Sequence, residues 1–329
     1  MEQMEIGRSG IQASVITFGA MGIGGGFRYP NTDDQESIRT IHAALDAGIN
    51  IIDTAPVYGF GHSEEIIGQA LKGRRNSVVL STKCGLWWGD DEGTYRFTWD
   101  GHEVKRNLSS RTIRIEVEES LRRLNTDYID IYYTHNPAMP PFNTPIEETI
   151  GTLMDLKKEG KILTIGASNC DPHHIKSYLE LGEVSIVQRR YNMLVQDVED
   201  EILPLCQDNG ISFHAYSPLA NGLLTGKFGR DYQMPKGESR EGDPWWEPPL
   251  YQSAVDFVES LQNICQQHSC SHSALAIAYL RAKGEHINVI CGIRTEKHLQ
   301  ENVLGAQLKL SQDVVAEIDR LRAQWIVQP

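Results

Sequence analysis

The chain has 329 residues, 40% of them hydrophobic, enough for one large domain or two ordinary ones. With 31 Lys and Arg against 44 Asp and Glu it is acidic, which argues against a broad nucleic-acid or anionic-membrane surface while leaving room for a small basic pocket. Six cysteines stand singly without a CxxC pair, no apolar run approaches bilayer length, and Met1–Gly10 lacks the apolar core of a secretory signal, so a cytoplasmic protein with reduced, buried thiols is expected.

Along the chain, short β-branched runs alternate with longer stretches of helical period. Residues 4–14 suit a small hairpin, and Val15–Gly19 reads as the first strand. The turn after it, Gly19-Ala20-Met21-Gly22-Ile23-Gly24-Gly25-Gly26-Phe27, fails the GxGxxG spacing of a dinucleotide fold, because Phe27 stands where the last Gly belongs. Thr32-Asp33-Asp34 caps a helix over Ser37–Ala47, and Ile49–Asp53 is the second strand. A helix begins at Ser63-Glu64-Glu65 and runs to Gly73, before the strand Val78–Thr82. Ser110–Leu124 repeats Ile113, Val117, Leu121 and Leu124 on one face, and Ile129–Thr134 follows as a strand. The pattern continues with helix Thr144–Lys158, strand Ile162–Gly166, helix Pro172–Leu181, strand Val184–Val187, helix Asp200–Asn209 and strand Ile211–Tyr216. Helices over Ser253–His268 and Ser271–Lys283 precede the eighth strand, Ile287–Cys291.

Eight buried strands alternating with helices predict parallel pairing with the helices outside. The length, and the scatter of polar residues over the ends of several strands, favour a closed (β/α)8 TIM barrel formed by a single domain over residues 1–329, rather than an open doubly wound sheet. Two long loops stand out. Trp87-Trp88 follows the third strand, and Trp245-Trp246 lies in the Gly-, Pro- and charge-rich stretch 226–250; both pairs read either as substrate walls or as loop anchors.

Four ionisable residues gather at one face in this arrangement: Asp53 closes the second strand with Tyr58 just beyond, Lys83 follows the third, and His135 follows the fourth. An ammonium beside a phenol favours phenolate, so Lys83, paired with Asp53, is expected to lower the pKa of Tyr58 and tune it as a proton carrier, with His135 orienting a carbonyl. That assembly suits reversible reduction of an aldehyde or ketone. Two weaker signals have bland readings. His268-Ser269-Cys270-Ser271-His272 lacks the ligand set of a metal site, so no metal is expected, and Cys84 reads as a packed thiol rather than one activated by Lys83.

These residues carry a family resemblance. Asn50-Ile51-Ile52-Asp53-Thr54-Ala55-Pro56-Val57-Tyr58-Gly59 with Ser63-Glu64, then Thr126 through His135-Asn136-Pro137, then Gly160-Lys161-Ile162 through Gly166-Ala167-Ser168-Asn169, resemble the aldo-keto reductases, and the likeness runs from Ile6 to Leu310. The resemblance implies a (β/α)8 barrel that uses Asp53, Tyr58, Lys83 and His135 as catalytic residues and NADPH or NADH as coenzyme. It implies that Ser168, Asn169 and Gln188 bind the carboxamide and that Tyr216 stacks on the nicotinamide. Gly19, Ala20, Met21 and Asp53 would flank the coenzyme. Ser217-Pro218-Leu219 with Gly222 through Lys227 would hold the pyrophosphate, and Gly292, Ile293, Arg294, His298, Glu301 and Asn302 would surround the adenosine. By residue type alone, Ser168-Asn169 also reads as the cap of the helix at Pro172.

His298 departs from the Gln or Arg of many relatives, which leaves the coenzyme open between NADPH and NADH, with Arg294 as an alternative cation. Asn136 replaces a Trp common in relatives and suits hydroxylated, sugar-like substrates. The branch resembled is that of bacterial reductases of methylglyoxal-like aldehydes and sugars. Two other functions share these features: a non-catalytic nucleotide-sensing subunit of a potassium channel, and a Schiff-base aldolase using Lys83. No nucleic-acid or membrane partner is expected, and the oligomeric state is open.

Overall fold

The computed structural model describes residues 1–25, 32–238 and 240–326, so Gly26 and Phe27 of the glycine-rich turn lie outside the described residues. Strands β1 (Gln3–Glu5) and β2 (Gln12–Ser14) pair antiparallel as the expected hairpin. Then come β3 (Ile16–Gly19), α1 (Asp34–Asp46), β4 (Ile51–Asp53), α2 (His62–Ala70) and β5 (Val79–Cys84). An inserted antiparallel sheet follows, made of β6 (Leu86–Trp87), β7 (Thr94–Trp99) and β8 (His102–Arg106). The alternation resumes with α3 (Ser110–Leu124), β9 (Ile129–Thr134), α4 (Ile146–Lys158), β10 (Ile162–Ser168), α5 (Pro172–Leu181), β11 (Ile186–Arg190), α6 (Ile202–Asn209) and β12 (Ser212–Tyr216). It ends with α7 (Leu250–Ser260), α8 (Gln262–Gln267), α9 (His272–Ala282), β13 (Ile287–Gly292), α10 (Glu296–Gln307) and α11 (Gln312–Trp325).

Strands β3, β4, β5, β9, β10, β11, β12 and β13 pair in parallel and close into the expected (β/α)8 barrel. Ile6 and Ala13 of the hairpin pack on Ile51, Val79, Ile131 and Ile186 near the starts of the strands, so the hairpin stops the barrel floor. That leaves the carboxyl ends, where barrel enzymes place their chemistry, as the open face.

Local signals explain most of the boundaries. Asp33, Ser109, Asp171, Ser271, Thr295 and Ser311 each accept a hydrogen bond from a first-turn amide of the helix they precede. Asn125 and Gly210 end α3 and α6 in the left-handed region. The expected apolar face of α3, Ile113, Val117, Leu121 and Leu124, is buried.

Elsewhere the chain departs from its sequence reading. The third barrel strand extends through Lys83 to Cys84 instead of ending at Thr82. The sixth starts later and runs to Arg190, which places Gln188 inside it. The single helix expected over Ser253–His268 breaks at Leu261, whose buried side chain keeps the apolar period continuous across the break. The inserted sheet and α11 were not expected.

Candidate active site

Strand β5 sets the chemistry by its alternation. Ser81 and Lys83 point into the barrel, while Thr82 and Cys84 point toward the helices. Lys83 is fully buried, and its Nζ donates to Asp53 Oδ2 and to the Thr54 carbonyl, each at 2.7 Å, with Tyr58 Oη at 3.5 Å. Ser81 Oγ and Gln188 Nε2 both donate to Asp53 Oδ1 at 3.0 Å, so each oxygen of the carboxylate is held. Tyr58 stands above Lys83, which lies 5.1 Å from its ring centroid, and meets the His135 ring edge-on at 6.1 Å. The structure thus brings together all four residues expected from the sequence.

The turn carrying Tyr58 is fixed by a close backbone approach. Gly59 has φ +64°, and a Cβ there would lie 2.0 Å from the Gly24 carbonyl oxygen, so the first and second strand-end loops touch only because both positions are glycine.

The electrostatics correct one expectation. Burial pushes the Tyr58 phenol above its ordinary range, and the pull of Lys83 is too small to reverse this because Asp53 opposes it. The sequence argument counted the ammonium but neither the burial nor the carboxylate that neutralises it; Tyr58 is therefore a held proton, not a standing phenolate. Burial favours neutral Lys83, but Asp53 and then Tyr58 outweigh it, and the ammonium sits above its usual pKa. A lysine held protonated in this way is a poor Schiff-base nucleophile. Burial, then the charges of Lys83 and Arg96, drive His135 well below the usual imidazole range, so it is neutral and able to donate one hydrogen bond.

Around this centre lies a set of donors suited to a nicotinamide coenzyme. Asn169, at φ +59°, donates through Nδ2 to the His135 carbonyl at 2.9 Å and accepts at Oδ1 from Tyr216 Oη at 2.7 Å. Ser168 Oγ lies 3.4 Å from Gln188 Oε1. The reading of Ser168-Asn169 as a helix cap is set aside, because Asp171 caps α5 and accepts from the His174 amide at 3.0 Å. These bonds hold the Tyr216 hydroxyl against the Asn169 carboxamide, which fits a flat amide-bearing ring. Past Tyr216, Ser217, Ala220, Asn221 and Gly222 all have positive φ, and the Ala220 and Gly222 amides donate to the Ser217 and Leu219 carbonyls, so the chain folds into a tight turn after β12. Beyond β13, a Cβ on Gly292 would meet nothing within 4 Å, and α10 opens with Thr295 capping the His298 amide. The segment that the resemblance assigns to the adenosine thus spans the end of β13 and the first turns of α10. Ile293 and Arg294 line a cleft with Gly22, Ile23, Asp33 and Glu36.

The aromatic pairs divide. Trp88 meets Phe60 edge-on at 5.2 Å, and Phe60 lies 4.4 Å from His102, which builds an aromatic rim one turn from Tyr58. Trp87 is buried beneath the rim and donates from Nε1 to Asp90 at 2.7 Å. Trp245 and Trp246 are buried in the core of their own loop; Trp246 packs on Phe228 and Tyr251, with Arg240 over its ring at 4.0 Å. The substrate wall expected from this second pair is thus corrected to loop anchoring. Asn136 is buried beside His135. Cys84 is buried, with its thiol pushed well above the usual range by burial and Glu116, so Lys83 does not activate it. His272 lies 3.1 Å from the Val258 carbonyl, and among the described residues no group of three His, Cys, Asp or Glu could hold a metal.

Sequence reasoning missed the inserted sheet over the mouth. A signal was present: Asp100-Gly101 between Thr94–Trp99 and His102–Arg106 is a strong hairpin pair, and both residues have positive φ.

Known proteins place this geometry. The model of the Aldo/keto reductase family matches residues 15–323. The NADH-specific methylglyoxal reductase of Escherichia coli K12 is 42% identical over 313 residues, covering 94% of this chain and 95% of that protein. Aldo-keto reductase YhdN of Bacillus subtilis is 38% identical over 268 residues, 81% of this chain and 76% of that protein. Among solved structures, the glycerol dehydrogenase AKR11B4 of Gluconobacter oxydans superimposes with a TM-score of 0.90 at 33% identity, covering 99% of this chain and 97% of that one. With the barrel, the buried Lys83–Asp53 pair and these likenesses in hand, the chain belongs to the aldo/keto reductase family and is an NAD(P)H-dependent oxidoreductase of small carbonyl compounds.

Proposed function

We propose that this protein is a cytoplasmic, single-domain reductase of small hydroxylated or sugar-like aldehydes, with Tyr58 as general acid. The observation that carries the reading is the buried Lys83–Asp53 pair directly beneath the Tyr58 hydroxyl. Tyr58, still protonated at neutral pH, gives its proton to the carbonyl oxygen as that oxygen becomes an alkoxide, and Lys83 stabilises the phenolate left behind. Asp53, tied down by Ser81 and Gln188, keeps the ammonium in place. Neutral His135 donates a hydrogen bond that orients the carbonyl, and the proton lost by Tyr58 returns from solvent at the barrel mouth. When bound, the reduced nicotinamide coenzyme supplies hydride to the carbonyl carbon. Ser168, Asn169 and Gln188 would hold its carboxamide, Tyr216 its ring, and Gly19, Ala20 and Met21 would flank it. Residues 217–227 would take the pyrophosphate and residues 292–302 the adenosine. Alcohol oxidation uses the same groups in reverse.

Preference for NADH over NADPH is part of this proposal. Asp33 and Glu36 share a cleft with Arg294, which offsets the cation needed for a 2′-phosphate, and burial, then the Lys227 charge, keeps His298 on the neutral side. The E. coli relative is named for NADH. Its methylglyoxal, the glycerol of the G. oxydans neighbour and the buried polar Asn136 all support a small oxygenated substrate. The test is a fluorescence titration with NADH and NADPH, followed by a panel of hydroxyaldehydes, sugars and apolar aldehydes run in both directions. Tighter NADPH binding sinks the coenzyme assignment. Turnover confined to apolar aromatic aldehydes sinks the substrate assignment.

A further inference from the structure

The inserted sheet carries two cations without a counterion. Among the described residues, its neighbouring acids are engaged by other cations: Asp90 and Glu92 pair with Arg111, while Asp91 and Glu103 pair with Lys105. Arg96 and Arg106 form no ion pair among the described residues, and Arg106 Nε is buried without a hydrogen-bond partner. Their placement is specific. Thr94 opposes Arg106 across the ladder, and both reach the loop after β9: Thr94 through the Met139 carbonyl and the Phe142 amide, Arg106 through the Met139 sulfur. That loop begins at His135. Arg96 lies two residues beyond Thr94, where the register of β7 against β8 slips between Tyr95 and Phe97. Such a bulge is a common device for re-aiming a side chain beside a site. Arg106 thus touches Met139, four residues past His135, and Arg96 stands two residues along β7 from the partner of Arg106, which puts both guanidiniums on the part of the sheet that meets the loop after His135. Like charges on one small sheet disfavour each other unless an anion joins them, and guanidiniums grip carboxylate and phosphate oxygens in pairs.

We propose that Arg96 and Arg106 form a recognition site for an anionic group on the substrate, so that the preferred carbonyl compounds carry a carboxylate or phosphate a few bonds from the reacting carbon. This inference rests on the carbonyl-reductase reading above. It makes two cations of an otherwise acidic chain a specificity element, and it gives the inserted sheet a task.

The test compares matched substrates in the full-length enzyme with saturating coenzyme: 4-oxobutanoate against butanal, and D-glyceraldehyde 3-phosphate against D-glyceraldehyde. At least one anionic member should exceed its neutral partner in kcat/KM, chiefly through KM, and the advantage should shrink with added salt. The pair that shows the larger ratio separates carboxylate from phosphate. Arg96→Gln, an exposed substitution, should lower that ratio about ten- to a hundredfold, and Arg96→Lys should restore part of it. Arg106→Gln should act in the same direction. Ratios at or below one in the wild type, or a ratio unmoved by Arg96→Gln, overturn the inference while leaving carbonyl reduction intact. Absence of turnover on all four compounds and on the wider panel instead removes the reading on which it stands.

Discussion

Strand β5 separates two buried ionic clusters of opposite character. Inside the barrel, Lys83 meets Asp53 beneath Tyr58. Outside, Thr82 Oγ1 donates to Glu64 Oε1 at 2.7 Å, Arg123 Nε donates to Glu64 Oε2 at 2.6 Å, and the Gly85 amide donates to Glu116 Oε2 at 2.8 Å. Both clusters are buried and both bend pKa values. The inner one opens to the carboxyl-end face through the half-buried Tyr58, whereas the outer one lies between α2, α3 and the sheet with both of its carboxylates buried. Perturbed ionisation alone therefore does not mark a reaction centre in this fold. Access to a reacting atom does.

Four experiments probe this contrast, the largest expected effect first. Tyr58→Phe removes the proton assigned to the carbonyl oxygen; kcat should fall by about 10²–10⁴ while coenzyme affinity stays near wild type. Lost coenzyme binding with normal turnover by what remains would falsify the assigned role. Lys83→Met leaves Asp53 buried without its cation, so urea unfolding should show a loss of about 3–5 kcal/mol along with reduced turnover. Asp53→Asn/Lys83→Met should recover part of that stability but none of the activity. If the double variant regains turnover, the pair is structural only.

The outer cluster should respond in stability and not in rate. Burial raises the Glu116 pKa to about 8, so the folded chain keeps a proton that the unfolded chain loses above about 4.5. Stability from this group is full below pH 4.5, declines as pH rises toward about 8, and is constant beyond. Glu116→Gln keeps the Gly85 hydrogen bond and removes the decline. Its melting temperature should match wild type near pH 4 and exceed it near pH 8–9, by an amount equivalent to roughly 2–4 kcal/mol. An equal gain at both pH values would point to packing instead. The smallest effect is a null one: with His135 well below the usual imidazole range, kcat should show no inflection near pH 6.5.

The inner cluster was legible in the sequence because a parallel barrel converts chain order into position. Residues at strand ends far apart in the chain must meet at one face, so Asp53, Lys83 and His135 could be placed before any coordinates. The outer cluster was not legible. Glu64 and Glu116 lie on helices, where no period or spacing singles out a buried acid, and only the packing of α2 and α3 on the barrel shows that they are buried. Tyr58 was placed correctly but its acidity was not, since burial is a property of the packed state. The inserted sheet escaped notice because β7 is largely polar with no fully buried residue, and the apolar cluster it joins mixes its own Leu86 and Val104 with Ala55 and Val57 from a loop distant in the chain. The break at Leu261 has no glycine or proline to announce it.

The hairpin that stops the barrel floor has a kinetic corollary. A vessel with one opening has one route for traffic, and the Phe60–Trp88 contact stands beside that opening. In the proposed reductase, coenzyme and carbonyl compound would therefore share one entrance, and each product would have to leave by the way its precursor came in.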